Sequence, residues 1–287
     1  MNKLIYANFA LFTVVLSMIA CGNSHSAAQD TVVDTFKLQQ IDEETQFSDS
    51  IPQGARILIE SYPQAQLRYQ DNKIIFPDGT AFVYDDGRKK SFDEQLDNSD
   101  IEDCFAIPYQ MSGTPTYLAD GGRGRCDEFY KKMYGESSAN VQKKLTTINW
   151  FGTQIKVTKI NNVDKQLQAV AKELAQYPEL HKYLEKPQTF YWRKVRGANR
   201  QSSHSYGIAL DIGVTYSNYW LWTYPRALET TQIKYINRFP EKIAQIFEKY
   251  GFIWGGRWYH FDTMHFEYRP EIINATKKQL VKRVHQI

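Results

Sequence analysis

The sequence lacks an apolar run long enough to span a bilayer, a heptad repeat, and a strong excess of charge of either sign. With only 16 glycines in 287 residues and a mean hydropathy of −0.53, it is neither collagen-like nor a polytopic membrane protein. The formal net charge of +3 is too small to indicate nucleic-acid binding. No internal repeat or low-complexity tract is present. The 42% of hydrophobic and 23% of charged residues are typical of a globular chain.

The N-terminus has the pattern of an export signal. An apolar stretch over residues 9–20 follows a basic start and is shorter than the ~20 residues of a spanning helix. It ends with Ala20 before Cys21, which resembles a bacterial lipoprotein signal. We therefore expect cleavage after residues 1–20, lipidation of Cys21 and a membrane partner. Because Gly22 rather than Asp follows, we expect a periplasmic protein anchored to the outer membrane. A plain signal peptide with a chance cysteine is the alternative.

Cysteine is scarce, with three residues in the chain. After Cys21, the pair Cys104 and Cys126 remains, and an even pair in an exported protein predicts a disulfide bond. Two buried free thiols are the alternative. A metal site made only of cysteines is not expected, because no Cys-x-x-Cys is present.

Composition divides the chain into four parts. Residues 22–53 are polar and acidic and show no sustained apolar periodicity, whereas the chain becomes apolar from Ile57. The predicted parts are a signal peptide (1–20), a polar tether (21–53), an N-terminal part of the globular region (54–150) and a catalytic domain (151–287).

The periodicity of the globular region predicts an α+β fold. Apolar positions at helical spacing predict helices over 164–177 and 240–250, and a short amphipathic helix near the C-terminus over 280–287. Short apolar runs separated by Asp-Asn and Asp-Gly turns predict hairpins between 74 and 84. Further strand-like runs cover 154–160, 189–195, 208–214 and 265–268. The Gly-rich loop over 120–125 lacks the Gly-Lys-Ser/Thr of a phosphate loop, and we interpret it as a turn.

Two short clusters contain the residues needed for a hydrolytic metal site. His204 is followed seven residues later by Asp211, which lies inside an apolar strand, where a carboxylate is costly unless it is paired or bound to metal. His265 is preceded by Asp262 three residues earlier. Two histidines and one aspartate leave one position of a tetrahedral zinc site open for water, and the other aspartate can accept the proton of that water. Either cluster alone is also compatible with structural or surface roles.

Two neighbouring residues compete for these roles. His260 is an alternative metal ligand, although we expect it to lie in the core or at the rim of the site. Glu267 is an alternative general base.

The clusters also carry a resemblance. The first matches S-x-H-x-x-G-x-A-x-D from Ser202 to Asp211, and the second matches W-G-G-x-W followed by D-x-x-H from Trp254 to His265. Together they resemble the zinc peptidases of bacterial cell walls, the superfamily of D-alanyl-D-alanine carboxypeptidases (VanY-type) and L-alanyl-D-glutamate endopeptidases. The resemblance covers about residues 190–269. It implies the α+β fold shared with the hedgehog domain, with a central, mostly antiparallel sheet and helices packed on it.

The resemblance implies one zinc ion per chain, bound by His204, Asp211 and His265, with Asp262 as general base. VanX- and VanY-type enzymes have Glu where Asp262 stands, whereas the L-alanyl-D-glutamate endopeptidases have Asp. We therefore expect a peptidase that cleaves peptidoglycan stem peptides, with endopeptidase cleavage favoured. The alternatives are a D-alanyl-D-alanine carboxypeptidase and a non-catalytic wall-binding lipoprotein that keeps the metal for stability.

The resemblance further implies a substrate-binding arginine before the first cluster. Arg193 fits best, and Arg196 and Arg200 are the alternatives. The other side chains expected to line the substrate groove are Ser202, Tyr206, Trp254 and Trp258. For the three aromatic residues, burial in the core is the alternative.

Overall fold

The computed structural model describes residues 51–278 of the protein. The predicted signal peptide, Cys21, most of the predicted tether and the predicted helix over 280–287 lie outside these residues. Within the described range, no helix combines the length and the apolar character needed to cross a membrane.

Helices and short antiparallel strands alternate along residues 51–278, as the sequence predicts for an α+β fold. The helices are α1 (Gln53–Ser61), α2 (Phe92–Asp97), α3 (Asp127–Tyr134), α4 (Ser138–Gln142), α5 (Val163–Leu174), α6 (Trp220–Thr223), α7 (Glu241–Lys249) and α8 (Pro270–Lys277). The strands are β1 (Arg68–Gln70), β2 (Lys73–Ile75), β3 (Ala81–Val83), β4 (Leu145–Trp150), β5 (Thr153–Thr158), β6 (Ala209–Asp211), β7 (Phe252–Trp254) and β8 (His265–Tyr268).

The two helices predicted most clearly, α5 and α7, are confirmed. Their apolar positions face the core, and α7 buries Ile243, Ile246 and Phe247. Helix α7 starts directly after Pro240, whose extended backbone precedes the first turn. The chain then turns at Gly251, whose φ of +86° is in the left-handed region that favours glycine.

Instead of one central sheet, residues 51–278 contain three small antiparallel sheets, ordered β1-β2-β3, β4-β5 and β6-β8-β7. The predicted strand over 189–195 does not form. In and directly before that segment, the chain forms isolated β-bridges, between Gln188 and Asp211 and between Lys194 and Gln201. Because no continuous fourth strand adds to β6, the sheet stops there and does not grow into a larger layer.

The β6-β8-β7 sheet has β8 in the middle and one face in the main hydrophobic core. Phe266 of β8 stacks on Phe247 of α7 with ring centroids 3.9 Å apart. Trp254 of β7 also stacks on Phe266. Successive side chains along a strand point to opposite faces of the sheet. Hence the neighbours of Phe266 on β8, His265 and Glu267, face the other side of the sheet.

The N-terminal part of the globular region shares its core with the C-terminal part. Tyr62, directly after α1, donates a hydrogen bond of 2.6 Å to Glu271 of α8. Tyr109 likewise donates to Glu248 of α7 at 2.7 Å. The boundary predicted between residues 150 and 151 falls at the turn of the β4-β5 hairpin.

The disulfide bond predicted between Cys104 and Cys126 is not formed, and both residues are free thiols. The Cys104 thiol is buried and lies 3.7 Å from the carbonyl oxygen of Asp100. Burial raises the pKa of the Cys104 thiol to about 12 and that of Cys126 to about 11. Both therefore act as protonated thiols, and of the two buried free thiols that the sequence left as the alternative, Cys104 is buried and Cys126 is half-buried.

Candidate active site

The pairing of β6 with β8 brings the two predicted clusters together. Asp211, the last residue of β6, is the register partner of His265, the first residue of β8. His204 lies on a short 3-10 helix, Ser203–Tyr206, that leads into β6. Gly207 ends this helix with a φ of +67°, and an added Cβ there would lie 2.7 Å from the Leu145 side chain. The tight turn at Gly207 thus lets His204 fold back over the strand that carries Asp211.

Three possible ligand atoms from His204, Asp211 and His265 lie within 4.8 Å of one another. His204 Nδ1 is 2.7 Å from the carbonyl oxygen of Thr189, so this nitrogen carries the proton and donates it. His204 Nε2 is left as the free nitrogen and lies 3.2 Å from Asp211 Oδ1, without hydrogen-bond geometry. It is buried and has no hydrogen-bond partner among residues 51–278. An unpartnered imidazole nitrogen beside a carboxylate and a second imidazole fits a zinc ion.

His265 is held from both sides. Its Nδ1 lies 2.9 Å from Asp211 Oδ1, while its Nε2 lies 3.4 Å from Glu267 Oε2 and 3.4 Å from Ser203 Oγ. A carboxylate on the outer nitrogen of a metal-binding histidine fixes the orientation of the ring. Glu267 therefore supports His265.

Glu267 is itself fixed by two buried arginines. Arg125 Nη1 lies 3.0 Å and 3.1 Å from its two carboxylate oxygens, and Arg269 Nη1 lies 3.3 Å from Oε1. Although burial opposes ionisation, the arginines and His265 hold the pKa of Glu267 well below its usual range. A fully buried carboxylate with these partners is poorly placed to take a proton from water, so the alternative of Glu267 as general base is not supported.

The charges of the three candidate ligands are coupled. Burial acts against ionisation of Asp211, but the two imidazoles hold the pKa of this carboxyl well below its usual range. Burial also acts against protonation of His265, yet hydrogen bonds with Asp211 and Glu267 raise its pKa to about 10. A metal bound to Nδ1 therefore has to displace a proton from His265, and its affinity should rise with pH.

Asp262 stands beside the three candidate ligands but forms no part of that group. Burial and the charge of Asp211 raise the pKa of Asp262 to about 7. Its Oδ1 has no hydrogen-bond partner in the described part of the chain. The backbone approaches closely here, because the amide of Asp262 donates to the carbonyl oxygen of Gly255 at 2.9 Å. A carboxylate with a free oxygen and a pKa near neutrality has the properties of a general base.

A cleft of about 470 Å³ opens over this group and is lined by both histidines, Asp211 and Asp262. Arg193, Lys194 and Arg196 also line it and are solvent-exposed, so its wall is basic on that side. Arg193 Nη1 donates to the carbonyl oxygen of Lys194 at 3.3 Å. Arg200, by contrast, is buried and paired with Asp97. Of the arginines that the sequence proposes for substrate binding, Arg193 and Arg196 are the exposed ones.

The other predicted groove residues divide into two pairs. Ser202 and Trp258 line the cleft, and the Trp258 ring lies 5.6 Å from that of His265. Tyr206 and Trp254 are instead in the core, which corrects their predicted role. Tyr206 is 0% exposed and packs against Tyr130, and the Trp254 indole donates to the carbonyl oxygen of Thr263 at 2.9 Å.

A second buried polar cluster was not recognised from the sequence. It contains Asp120, Arg123, Glu229 and His260. Asp120 and Arg123 belong to the Gly-rich loop interpreted as a turn, and nothing local in the sequence marks their contact with His260, which is 140 residues from Asp120. His260 lies in this cluster and not in the group formed by His204, Asp211 and His265.

The comparisons cover only part of the chain. Residues 196–268 match the family model of D-alanyl-D-alanine carboxypeptidases. This match supports a peptidase, a class of hydrolase. It includes His204, Asp211, Asp262 and His265, whereas Arg193 and the second-cluster residue Asp120 lie outside it. No curated protein and no solved structure matches the chain.

Proposed function

We propose that the protein is a zinc-dependent peptidase that hydrolyses peptidoglycan stem peptides, by cleavage of the L-alanyl-D-glutamate type. The observation that carries the proposal is the convergence of His204, Asp211 and His265 beside Asp262, whose Oδ1 is unpartnered within residues 51–278. A site used only for stability needs neither an open cleft nor a base.

His204 Nε2, Asp211 Oδ1 and His265 Nδ1 are the atoms that would hold zinc. When bound, zinc supplies Lewis-acid chemistry, since it polarises a carbonyl oxygen and acidifies water. The protein's own contribution is to orient these atoms: Thr189 fixes the His204 ring, and Glu267 fixes the His265 ring.

Asp262 is the proposed general base. It accepts a proton from the attacking water at a carboxylate oxygen and returns it to the amine that leaves when the peptide C–N bond breaks. Burial raises the pKa of Asp262 in the metal-free protein, and a carboxylate that holds a proton more readily than usual is suited to accept one from water.

Asp262 and the side chains that line the cleft support a choice of the cleaved bond. Asp rather than Glu at this position favours the endopeptidase. The exposed Arg193 and Arg196 fit a substrate with carboxylate side groups, such as D-glutamate within a stem peptide. The match to D-alanyl-D-alanine carboxypeptidases favours the second candidate, removal of the terminal D-alanine.

Mass spectrometry of defined muropeptides separates these functions. Full-length protein loaded with zinc is incubated with a disaccharide pentapeptide, and Asp262→Asn protein serves as the matched control. Release of the peptide from L-alanine supports the endopeptidase. Loss of a single D-alanine supports the carboxypeptidase, and binding without any change of mass identifies a non-catalytic wall protein.

We also propose that the protein acts in the periplasm from a lipid anchor at Cys21, the cysteine that directly follows the apolar segment. Wild-type protein should incorporate labelled palmitate and fractionate with the outer membrane. Cys21→Ala protein should do neither. Membrane-bound, acyl-free wild type would contradict the anchor and leave the peptidase proposal unaffected.

A further inference from the structure

His260 is held in the cleft wall by Asp120. The His260 backbone amide donates to Asp120 Oδ1 at 3.0 Å, and the ring Nδ1 lies 2.5 Å from Asp120 Oδ2. Although burial opposes ionisation of Asp120, Arg123 and His260 lower the pKa of this carboxyl. An ionised Asp120 accepts the hydrogen bond, so Nδ1 carries a ring proton, and in the tautomer that this contact selects Nε2 is the acceptor nitrogen.

This Nε2 is left unused by the protein. His260 is 1% exposed, and Nε2 finds no hydrogen-bond partner in the range 51–278. The residue nevertheless lines the cleft that also contains His265 and Asp262. A buried polar atom without a partner is unfavourable, and in a cleft a bound molecule can satisfy it.

The ring has little freedom to turn away from the cleft. Trp220 packs against it edge-on with centroids 4.5 Å apart, and Tyr259 contacts it at 5.0 Å. Arg123 Nη1 lies 3.2 Å from His260 Nδ1 and also binds Glu229 at 2.8 Å. A guanidinium therefore sits among the acidic groups of this cluster, which makes it unsuitable for a second metal ion.

We infer that His260 is a substrate-contacting residue, whose Nε2 accepts a hydrogen bond from a main-chain N–H of the bound stem peptide. Asp120 acts through His260 as a positioning residue, because it sets both the tautomer and the direction of the ring. The inference rests on the proposed function for the kind of substrate, but the contact requires only binding and not cleavage.

Two substitutions test the roles of the two His260 ring nitrogens separately. His260→Asn keeps a donor near the Nδ1 position for Asp120 but has no atom at the Nε2 position. His260→Gln can place a carbonyl oxygen near the Nε2 position. We expect His260→Asn to keep its zinc but to bind stem peptide about 10- to 100-fold more weakly, since a tenfold change corresponds to one hydrogen bond of ordinary strength. His260→Gln should recover part of this loss.

Exposed His181 supplies the matched control, and His181→Asn should bind like wild type. Binding is measured by calorimetry on zinc-loaded Asp262→Asn protein, which avoids turnover. In the same background, the ¹⁵N resonance of His260 Nε2 should shift when stem peptide is added, which tests the contact even if a substitution at 260 disturbs the fold. Unchanged affinity in His260→Asn, or an unmoved Nε2 resonance at saturation, would overturn the inference. Wild-type protein that binds peptide through His260 without cutting it would instead overturn the proposed hydrolysis alone.

Discussion

Asp211 and His265 stand opposite each other on β6 and β8, with Oδ1 of the carboxylate 2.9 Å from Nδ1 of the imidazole. The next pair in the same ladder is Leu210 and Phe266, both fully buried. A slip of one residue would turn one strand's hydrophobic side chains out of the core and separate the two polar residues. Hydrophobic pairing on one face of the sheet therefore sets the geometry of the candidate metal ligands on the other.

Removal of Asp211 should abolish metal binding. We expect Asp211→Ala protein to lose most of its zinc and, with it, thermal stability, because a metal that binds only the folded state stabilises that state. Elemental analysis and thermal unfolding with and without a chelator measure both effects. Full zinc occupancy in this variant would show that Asp211 is not a ligand.

Asp262→Asn should have the opposite profile. The amide keeps the size of the side chain but cannot accept a proton, so zinc content and melting temperature should match wild type while kcat falls ~10²- to 10⁴-fold. Hydrolysis rates on a stem peptide, measured on the same preparations as the metal content, provide the test. Near-normal rates would remove Asp262 from the role of base.

Arg125 should affect the metal centre from a distance. Without its guanidinium, Glu267 loses a buried partner and holds His265 less firmly. We expect Arg125→Met to weaken zinc binding about 10- to 100-fold, as loss of an outer-shell partner commonly does, and to lower the free energy of unfolding by about 3–5 kcal/mol. Competition with a chromogenic chelator and urea unfolding measure the two quantities.

The control for Arg125 is Lys131→Met, which breaks the exposed ion pair between Lys131 and Glu128. Exposed pairs contribute about 0–1 kcal/mol, so this variant should resemble wild type in both measurements. If Arg125→Met bound zinc as tightly as Lys131→Met, Arg125 would have only a structural role.

Glu102 should make stability depend on pH. Burial, followed by the charges of Asp103, Asp85 and Asp100, raises the pKa of Glu102 to about 7. The folded state then holds a proton that the unfolded state releases above its ordinary pKa, so this group's contribution falls as the pH rises from about 4.5 to 7. Since Glu102 is half-exposed, we expect Glu102→Gln to gain about 1 kcal/mol over wild type at pH 8. At pH 4 the two should unfold alike. Urea unfolding at both values is the measurement, and an equal difference at both would contradict the assignment.

Local sequence patterns predicted those helices and strands whose formation depends mainly on interactions between residues close in sequence. Helix α7 follows from apolar positions at helical spacing between Pro240 and Gly251, and the strand over 265–268 forms as predicted. His204 and Asp211 are seven residues apart and Asp262 and His265 are three residues apart, so each pair could be proposed as a candidate from a local pattern.

The remaining features depend on contacts between distant segments. The sequence around Tyr206 does not show whether this side chain packs in the core or lines the cleft. Its burial results from packing against Tyr130 and Tyr134, which lie far away in the sequence. The division into small sheets depends on which strand edges pair with each other, and the sequence of a single strand does not determine its partner. Arg125 and Glu267 are separated by 142 residues, so their pairing leaves no local pattern.

The distance in sequence between the candidate ligands and their partners also affects the order in which contacts form during folding. His204 and Asp211 are seven residues apart and can meet early, but His265 joins Asp211 only across 54 residues, and its support reaches back to Arg125. Closing long loops costs entropy that is recovered only when the core packs. We therefore expect a complete set of ligands to form only near the end of folding. Metal capture at this site would mark a finished fold, unlike the zinc finger, in which the ion initiates it.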